Sequence, residues 1–291
     1  MNHTIGFIGG GNMGGAMMSG LVKTGVCRPE QVTVFDVYAP TLEKLHNALE
    51  INTTDSVEAL IEASQVIVLA VKPQVLPAVL EQHGAKITAD KLVISIAAGI
   101  TLERLTGFLS AEHKIVRVMP NTPAMVGEGM AGICPNANVT EEEKAEVLEL
   151  FNCFGKAELV PEKLIDAVVG VSGSSPAYVY MFIEALADGA VREGMPRPQA
   201  YKFAAQAVFG SAKMVMESGM HPGALKDMVC SPAGTTIESV YALEKGGMRA
   251  AVMDAVHIAA ETSIYPFLSS SIPLIVSFVL VQMLAARSGW S

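Results

Sequence analysis

The chain has 291 residues, 51% hydrophobic and 17% charged, with 20 basic against 29 acidic side chains and a formal charge of −9. Such a length supports two domains, and the acidic balance excludes a broadly basic surface, so no nucleic-acid partner is expected. So large an apolar share predicts surface buried between subunits.

In chain order, Ile5–Ile8 reads as a strand and Asn12–Thr24 as a helix stopped by Gly25. Val32–Asp36 reads as a second strand, and Thr41–Leu49 as a helix with Thr41 as its N-cap. Val66–Val71, Leu92–Ile96 and Ile115–Met119 are unbroken apolar runs. Continuous apolar strands with helices between them predict a parallel sheet covered on both faces. Thr140–Glu143 is a capping box that opens a helix over Glu141–Phe154, with Gly155 as its stop. A short strand at Ala157–Val160 and then Pro161 place the domain boundary, giving domains over residues 1–162 and 163–291.

Beyond the boundary strand signals vanish. Apolar residues recur at helical spacing through Ala177–Val191, Pro198–Glu217, Thr236–Lys245 and Met248–Thr262. Helices apolar on more than one face must bury both, which predicts interleaving with a second subunit. Thr262–Ala286 carries no charge but is interrupted by Pro266 and Pro273. It is a poor spanning helix and reads either as an apolar segment at a subunit interface or as a poorly ordered tail, so no membrane partner is expected. Cys27, Cys134, Cys153 and Cys230 form no Cys-x-x-Cys pair, and the N-terminus lacks a secretory pattern, so a cytoplasmic chain with reduced thiols is expected.

The strongest local signal is Gly9, Gly11 and Gly14, a Gly-x-Gly-x-x-Gly loop directly after a strand and before a helix. Gly9 permits the tight turn, Gly11 lets a pyrophosphate approach the backbone, and Gly14 lets helix and strand pack closely. The helix start offers free N–H groups to phosphates. Asp36, at the end of the second strand, either hydrogen-bonds adenosine ribose hydroxyls or is a solvated capping acid. The first reading favours NAD(H) over NADP(H). Ala70–Pro73 and Ala97–Gly99 follow strand ends, where ligands of open α/β sheets bind. Lys72 lines the cofactor there or is a surface cation. Asn121 follows a strand in the same way, and either bonds the nicotinamide amide or shapes the turn. The histidines form no metal spacing, no metal is expected, and no nucleophile elbow or carboxylate pair is visible. Hydride transfer needs none of these. Ser231–Thr236 is a Ser/Gly/Thr loop at a helix start, suited to a small carboxylate or serving as an ordinary N-cap loop.

Taken together, Gly6–Gly14, Ala70–Pro73, Ala97–Gly99, Met119–Asn121, Ser172–Tyr178, His221–Gly223 and above all Val229–Thr236 resemble the pyrroline-5-carboxylate reductase family over roughly residues 4 to 256. The resemblance implies an α/β Rossmann dinucleotide-binding domain followed by an all-α dimerisation domain, with dimers often assembled into decamers. It implies reduction of 1-pyrroline-5-carboxylate to L-proline with NADP(H) or NAD(H). It places the cofactor on Ile8, Gly9, Gly10, Gly11, Asn12 and Met13, on Ala70, Val71, Lys72 and Pro73, and on Ile96, Ala97 and Ala98. The substrate carboxylate would lie on Ser231, Gly234 and Thr235, and the Thr236 hydroxyl would hydrogen-bond the ring nitrogen. Ser175 and the tail beyond about His257 depart from the family pattern. A β-hydroxyacid dehydrogenase, which shares the glycine loop, would carry a catalytic lysine, and Ser172–Leu186 contains none. A dinucleotide sensor would have no use for the Ser231–Thr236 loop.

Overall fold

The structure, a computed structural model, describes residues 3–264. These form two compact units, one of residues 3–173 with 259–264 and one of residues 174–258. The boundary read from sequence at 162/163 falls after the last strand, and the first unit continues to Gly173. The apolar segment read over 262–286 lies outside the described residues beyond 264.

The first unit is built on one eight-stranded sheet among the described residues. Its strands are β1 (Ile5–Ile8), β2 (Val32–Phe35), β3 (Asn52–Thr54), β4 (Val66–Leu69), β5 (Leu92–Ser95), β6 (Lys114–Met119), β7 (Gly129–Pro135) and β8 (Gly155–Leu159). The spatial order is β3-β2-β1-β4-β5-β6-β7-β8. Strands β1 to β6 pair in parallel. The parallel sheet expected from the apolar runs is present over β1 to β6; β7, which has no such run, runs antiparallel to β6, pairing Val118 with Ile133, before β8 rejoins β7 in parallel. The reversal follows from a short connection. Only a 3-10 turn at Thr122–Val126 joins β6 to β7, too little chain for a parallel crossover. At the β7–β8 seam, a Cβ on Gly155 would meet the Gly129 carbonyl oxygen at 2.0 Å, so only glycine fits.

The helices of this unit are α1 (Asn12–Lys23), α2 (Ala39–Leu49), α3 (Val57–Ala63), α4 (Leu76–His83), α5 (Leu102–Phe108), α6 (Glu141–Asn152) and α7 (Ile165–Val168). The capping box of α6 is present: the Glu143 N–H donates to Thr140 Oγ1 (3.2 Å) and the Thr140 N–H to Glu143 Oε2 (2.9 Å). Gly155 does not end α6; Cys153 is its C-cap and Gly155 opens β8. Thr41 is not the cap of α2 either. The helix begins at Ala39 because Pro40 is already suited to a first helical turn. One face of the sheet packs Phe7, Val34, Ile94 and Val116 against Met17, Met18, Leu21 and Phe151. The other packs Ile8, Ile67, Leu69 and Val93 against Leu60, Leu76 and Leu105. Both faces are dry, which explains why these strands read as unbroken apolar runs.

The second unit holds α8 (Ser175–Arg192), α9 (Arg197–Ser218), α10 (Pro222–Val229), α11 (Thr235–Lys245) and most of α12 (Met248–Ile264). Helices α8 and α9 pair through Ala187, Ala200 and Ala204, the only buried apolar cluster described in this unit. An Arg197–Asp188 ion pair fastens their connection, and the Arg197 guanidinium lies 5.6 Å from the centre of the Tyr201 ring. Met181 (70%), Phe203 (61%), Met216 (70%) and Met253 (71%) are exposed.

Candidate functional site

Strand order reverses between β1 and β4, and a ligand crevice opens beyond the carboxyl ends of strands at such a switch point. Residues Gly9–Gly11 leave β1 there. Gly9 has φ +110° and donates its N–H to the Phe35 carbonyl (2.8 Å); a Cβ on it would stand 2.6 Å from the Ala70 carbonyl oxygen. A Cβ on Gly14 would stand 2.6 Å from the Gly9 carbonyl oxygen, so helix α1 and the loop touch through bare backbone. Gly11 differs. Its φ is −63°, which any residue adopts, and a Cβ there would meet nothing within 4 Å. The protein's own packing does not require glycine at this position; the open space in front of it does.

Helix α1 begins at Asn12 with no side-chain cap and no acid in its first turn. Uncapped N–H groups and the positive end of the helix dipole suit a phosphate. A cleft of about 390 Å³ adjoins this start, lined among others by Gly10, Gly11, Asn12, Thr41 and Lys44. The sequence reading gave Thr41 and Lys44 no binding role. Their place just after the β2 end was the available signal.

Asp36 holds the glycine loop in shape. Its Oδ2 accepts the Gly10 N–H (2.8 Å) and its Oδ1 the Tyr38 N–H (2.9 Å). A carboxylate has about four acceptor sites, so these bonds leave room for a ribose hydroxyl. The loops after β4 and β5 follow on the other side of the β1 loop in the sheet order. Ala70 donates its N–H to the Ile8 carbonyl (2.9 Å), and Ile96 to the Leu69 carbonyl (3.2 Å). Val71 and Pro73 are half-buried, whereas Lys72 and Ala98 are exposed and Ala97 is buried. The Lys72 carbonyl accepts the N–H groups of Val75 and Leu76 and so starts α4.

Asn121 does not stand open to this crevice. It is buried, its Nδ2 donates to the Ser172 carbonyl (3.0 Å) and its Oδ1 accepts the Met130 N–H (2.8 Å). Both ends of its amide are engaged by backbone groups, a geometry that suits the turn-shaping reading.

In the second unit, Ser231–Gly234 is a tight turn closed by the Gly234 N–H on the Ser231 carbonyl (3.0 Å). Pro232 precedes Ala233, which has φ +54°, a conformation that favours glycine. A Cβ on Gly234 would lie 2.3 Å from Ser231 Oγ. Gly234 is the N-cap of α11, again without a side-chain cap, so the first N–H groups of α11 are free among the described residues. Thr235 and Thr236 occupy its first turn, Thr235 exposed and Thr236 half-buried. This turn concentrates N–H and O–H donors and carries no acid before Glu238.

Burial pushes the Cys134 thiol up to about 11, and all four cysteines are free. Among the described residues no group of His, Cys, Asp and Glu could hold a metal ion, and no helix is long and apolar enough to cross a membrane.

Pyrroline-5-carboxylate reductase of Escherichia coli (strain K12) is 54% identical over 263 residues, covering 90% of this chain and 98% of its own length. The enzyme of that name from Methanosarcina acetivorans is 50% identical over 262 residues, covering 90% and 97%. The solved structure of a Plasmodium falciparum pyrroline carboxylate reductase with NADP bound superposes with a TM-score of 0.81 at 36% identity, covering 90% of this chain and 97% of that one. The chain belongs to the pyrroline-5-carboxylate reductase family. Residues 162–264 of this reductase-family chain match the family described as pyrroline-5-carboxylate reductase dimerisation. Residues 4–99 match that described as NADP oxidoreductase, coenzyme F420-dependent. The division into an α/β dinucleotide-binding part and a helical dimerisation part therefore holds, and the dimerisation match of the helical part supports a homo-oligomer.

Proposed function

We propose that this chain reduces 1-pyrroline-5-carboxylate to L-proline with NADPH or NADH. The observation that carries the reading is the 54% identity over 90% of the chain, which spans the Ser231–Thr236 loop. The glycine loop fits a dinucleotide, because Gly11 keeps clear a space that no protein atom fills. Gly9, Gly10, Gly11, Asn12, Met13 and Gly14 would hold the pyrophosphate, with Ile8 beneath them. Ala70–Pro73 and Ile96–Ala98 would line the remainder of the cofactor, with Lys72 as an exposed cation. When bound, the dinucleotide supplies the hydride.

The chain's own contribution is orientation. A small carboxylate binds the free N–H groups at the start of α11, together with the hydroxyls of Ser231 and Thr235. The Thr236 hydroxyl hydrogen-bonds the ring nitrogen. Protonation of that nitrogen makes the neighbouring carbon electrophilic. As the carbon gains hydride, the C=N π electrons become a nitrogen lone pair, to which the same hydroxyl donates. No histidine or carboxylate acid is required for this step, because positioning an already reactive carbon supplies the rate.

Two observations bear on the dinucleotide. The Plasmodium relative holds NADP, whereas an acid at the end of β2, here Asp36, would bond the ribose hydroxyls and repel a 2′-phosphate. The reading is therefore use of both, with Asp36 favouring NADH. Dimers assembled into decamers, in a reducing cytoplasm that keeps the four thiols free, complete the proposal. The test is spectrophotometric: oxidation of NADPH and NADH with pyrroline-5-carboxylate as acceptor. Absence of turnover with either dinucleotide would overturn the assignment.

A further inference from the structure

Residues 162–173 close the first unit with a 3-10 turn (Glu162–Leu164), helix α7 and a π-helical turn (Val169–Gly173). π turns are rare and occur frequently at functional sites. This one is tied to β6 and its exit at both ends of the segment. At the start, Glu162 Oε1 accepts from Arg117 Nη1 (2.9 Å) and from the Leu102 N–H (2.8 Å). Arg117 lies on β6 and is buried, so its charge demands this partner. At the end, Asn121 donates to the Ser172 carbonyl (3.0 Å) while holding the Met130 N–H (2.8 Å). Gly173 sits against the end of β6, where a Cβ would meet Met119 Cε at 2.6 Å.

We propose that Asn121 is a positioning residue for the reductase reaction, fixing the Val169–Gly173 turn at the carboxyl end of β6 rather than binding nicotinamide. This rests on the function proposed above. The physical case is one of register. A π turn accommodates one residue more than an α turn. If it relaxed to α geometry, the chain after it would shift by about 1.5 Å and rotate by roughly 100°. The Asn121 bond to Ser172 opposes that slip one residue before the turn ends. The carboxyl edge of the sheet carries the crevice, and a displacement near 1 Å in such a place costs about a hundredfold in rate in sensitive cases. A nicotinamide ligand would instead be accessible, whereas Asn121 is buried with both ends of its amide engaged.

The test is Asn121→Asp, which keeps the size and the acceptor for Met130 but loses the donor to Ser172. Three quantities are measured on the full chain: hydrogen exchange of the 169–173 amides, kcat for the imine, and dinucleotide Kd by fluorescence titration. Exchange should quicken at least about tenfold and kcat should fall about tenfold, with Kd for NADPH and NADH changed less than about twofold. Weaker dinucleotide binding with unchanged exchange would make Asn121 a cofactor ligand and overturn the proposal. Faster exchange at unchanged kcat would overturn it too, by showing a tie without bearing on the reaction. If the variant does not fold, wild-type exchange decides: amides 169–173 as slow as those of β6 support the clamp, and exchange at open-loop rates refutes it. Failure of wild-type turnover would count against the proposed function, which the exchange measurement reads separately.

Discussion

At Gly11 the backbone is extended and no atom stands within 4 Å of a prospective Cβ. Gly11→Val should therefore leave folding nearly unchanged while filling the space reserved for pyrophosphate. Dinucleotide affinity is expected to fall at least tenfold, about 1.4 kcal/mol, at an unaltered Tm; titration and thermal melting together check this. Thr236 presents the opposite case, a residue expected to act in the reaction. Thr236→Ala removes one hydroxyl and leaves the α11 N–H groups in place. A hydrogen bond of this kind is worth about 0.5–1.5 kcal/mol, or up to about 3 with a charged partner. Loss of a bond that strengthens as the amine forms appears in kcat. A fall between a few-fold and somewhat over a hundredfold is predicted, with Thr236→Ser retaining most activity and KM for the cofactor unmoved. Wild-type kcat and imine KM in Thr236→Ala would reduce the residue to a helix-start threonine. Single residues were legible wherever one steric demand falls on one position, as at Gly9 and Gly14. Asn121 was ambiguous because an amide can serve a ligand or a turn equally well, and its partners, the Ser172 carbonyl and the Met130 N–H, are set by the fold and not by neighbouring sequence.

Among the elements, α6 was readable from its start because Thr140 and Glu143 satisfy each other's backbone N–H groups within four residues. Strands β1, β4 and β5 were readable because both faces are buried. β3 was not: it is three polar residues at the sheet margin and carries no apolar signal. β7 was missed for a different reason. Gly129 and Gly132 dilute its pattern; a Cβ on Gly129 would crowd the Ala124 Cβ at 2.9 Å, and one on Gly132 would press on Val168 Cγ1 at 3.1 Å. The short α3 is tied to the end of α4 and to the turn after it. Glu58 on α3 bonds Lys86 Nζ and His83 Nδ1, each at 2.9 Å. The Lys86 hydrogen bond, then the backbone bond and the nearby Lys86 and His83 charges, hold the Glu58 carboxyl down at about 2 against a usual 4.5. A depressed carboxyl stabilises the fold above its ordinary range and stops doing so as pH falls through the depressed value. The Tm advantage of wild type over Glu58→Gln should therefore be constant above pH 4.5 and close between 4.5 and 2. A gap independent of pH would mean that the pairing contributes no charge-dependent stability.

For the whole molecule, the two-part plan was visible because the pattern changes from buried strands to helices near Pro161. The size of the deficit in the helical part was also visible: the described core of that unit is three alanines, with methionines and aromatics left outside. A unit of this kind does not persist alone in water. Sedimentation at micromolar concentration should give a dimer or a multiple of dimers, and a stable monomer would contradict the surface. The orientation of β7 was beyond reach for a reason of scale, since strand direction is set by the length of a connection and no residue within β7 encodes it.

Both margins of the sheet are unsuitable for growth. β3 offers a short run of three polar residues, and β8 carries exposed Lys156 and Glu158 beside an edge that is unpaired among the described residues. A long apolar margin with free backbone donors would recruit the same margin of another copy and lengthen without limit. Charge and brevity at the two margins deny that route, so self-recognition falls to side-chain surfaces, which can close on themselves under rotational symmetry. A chain this rich in apolar residues can therefore be synthesised in quantity and still end in particles of finite size instead of fibres.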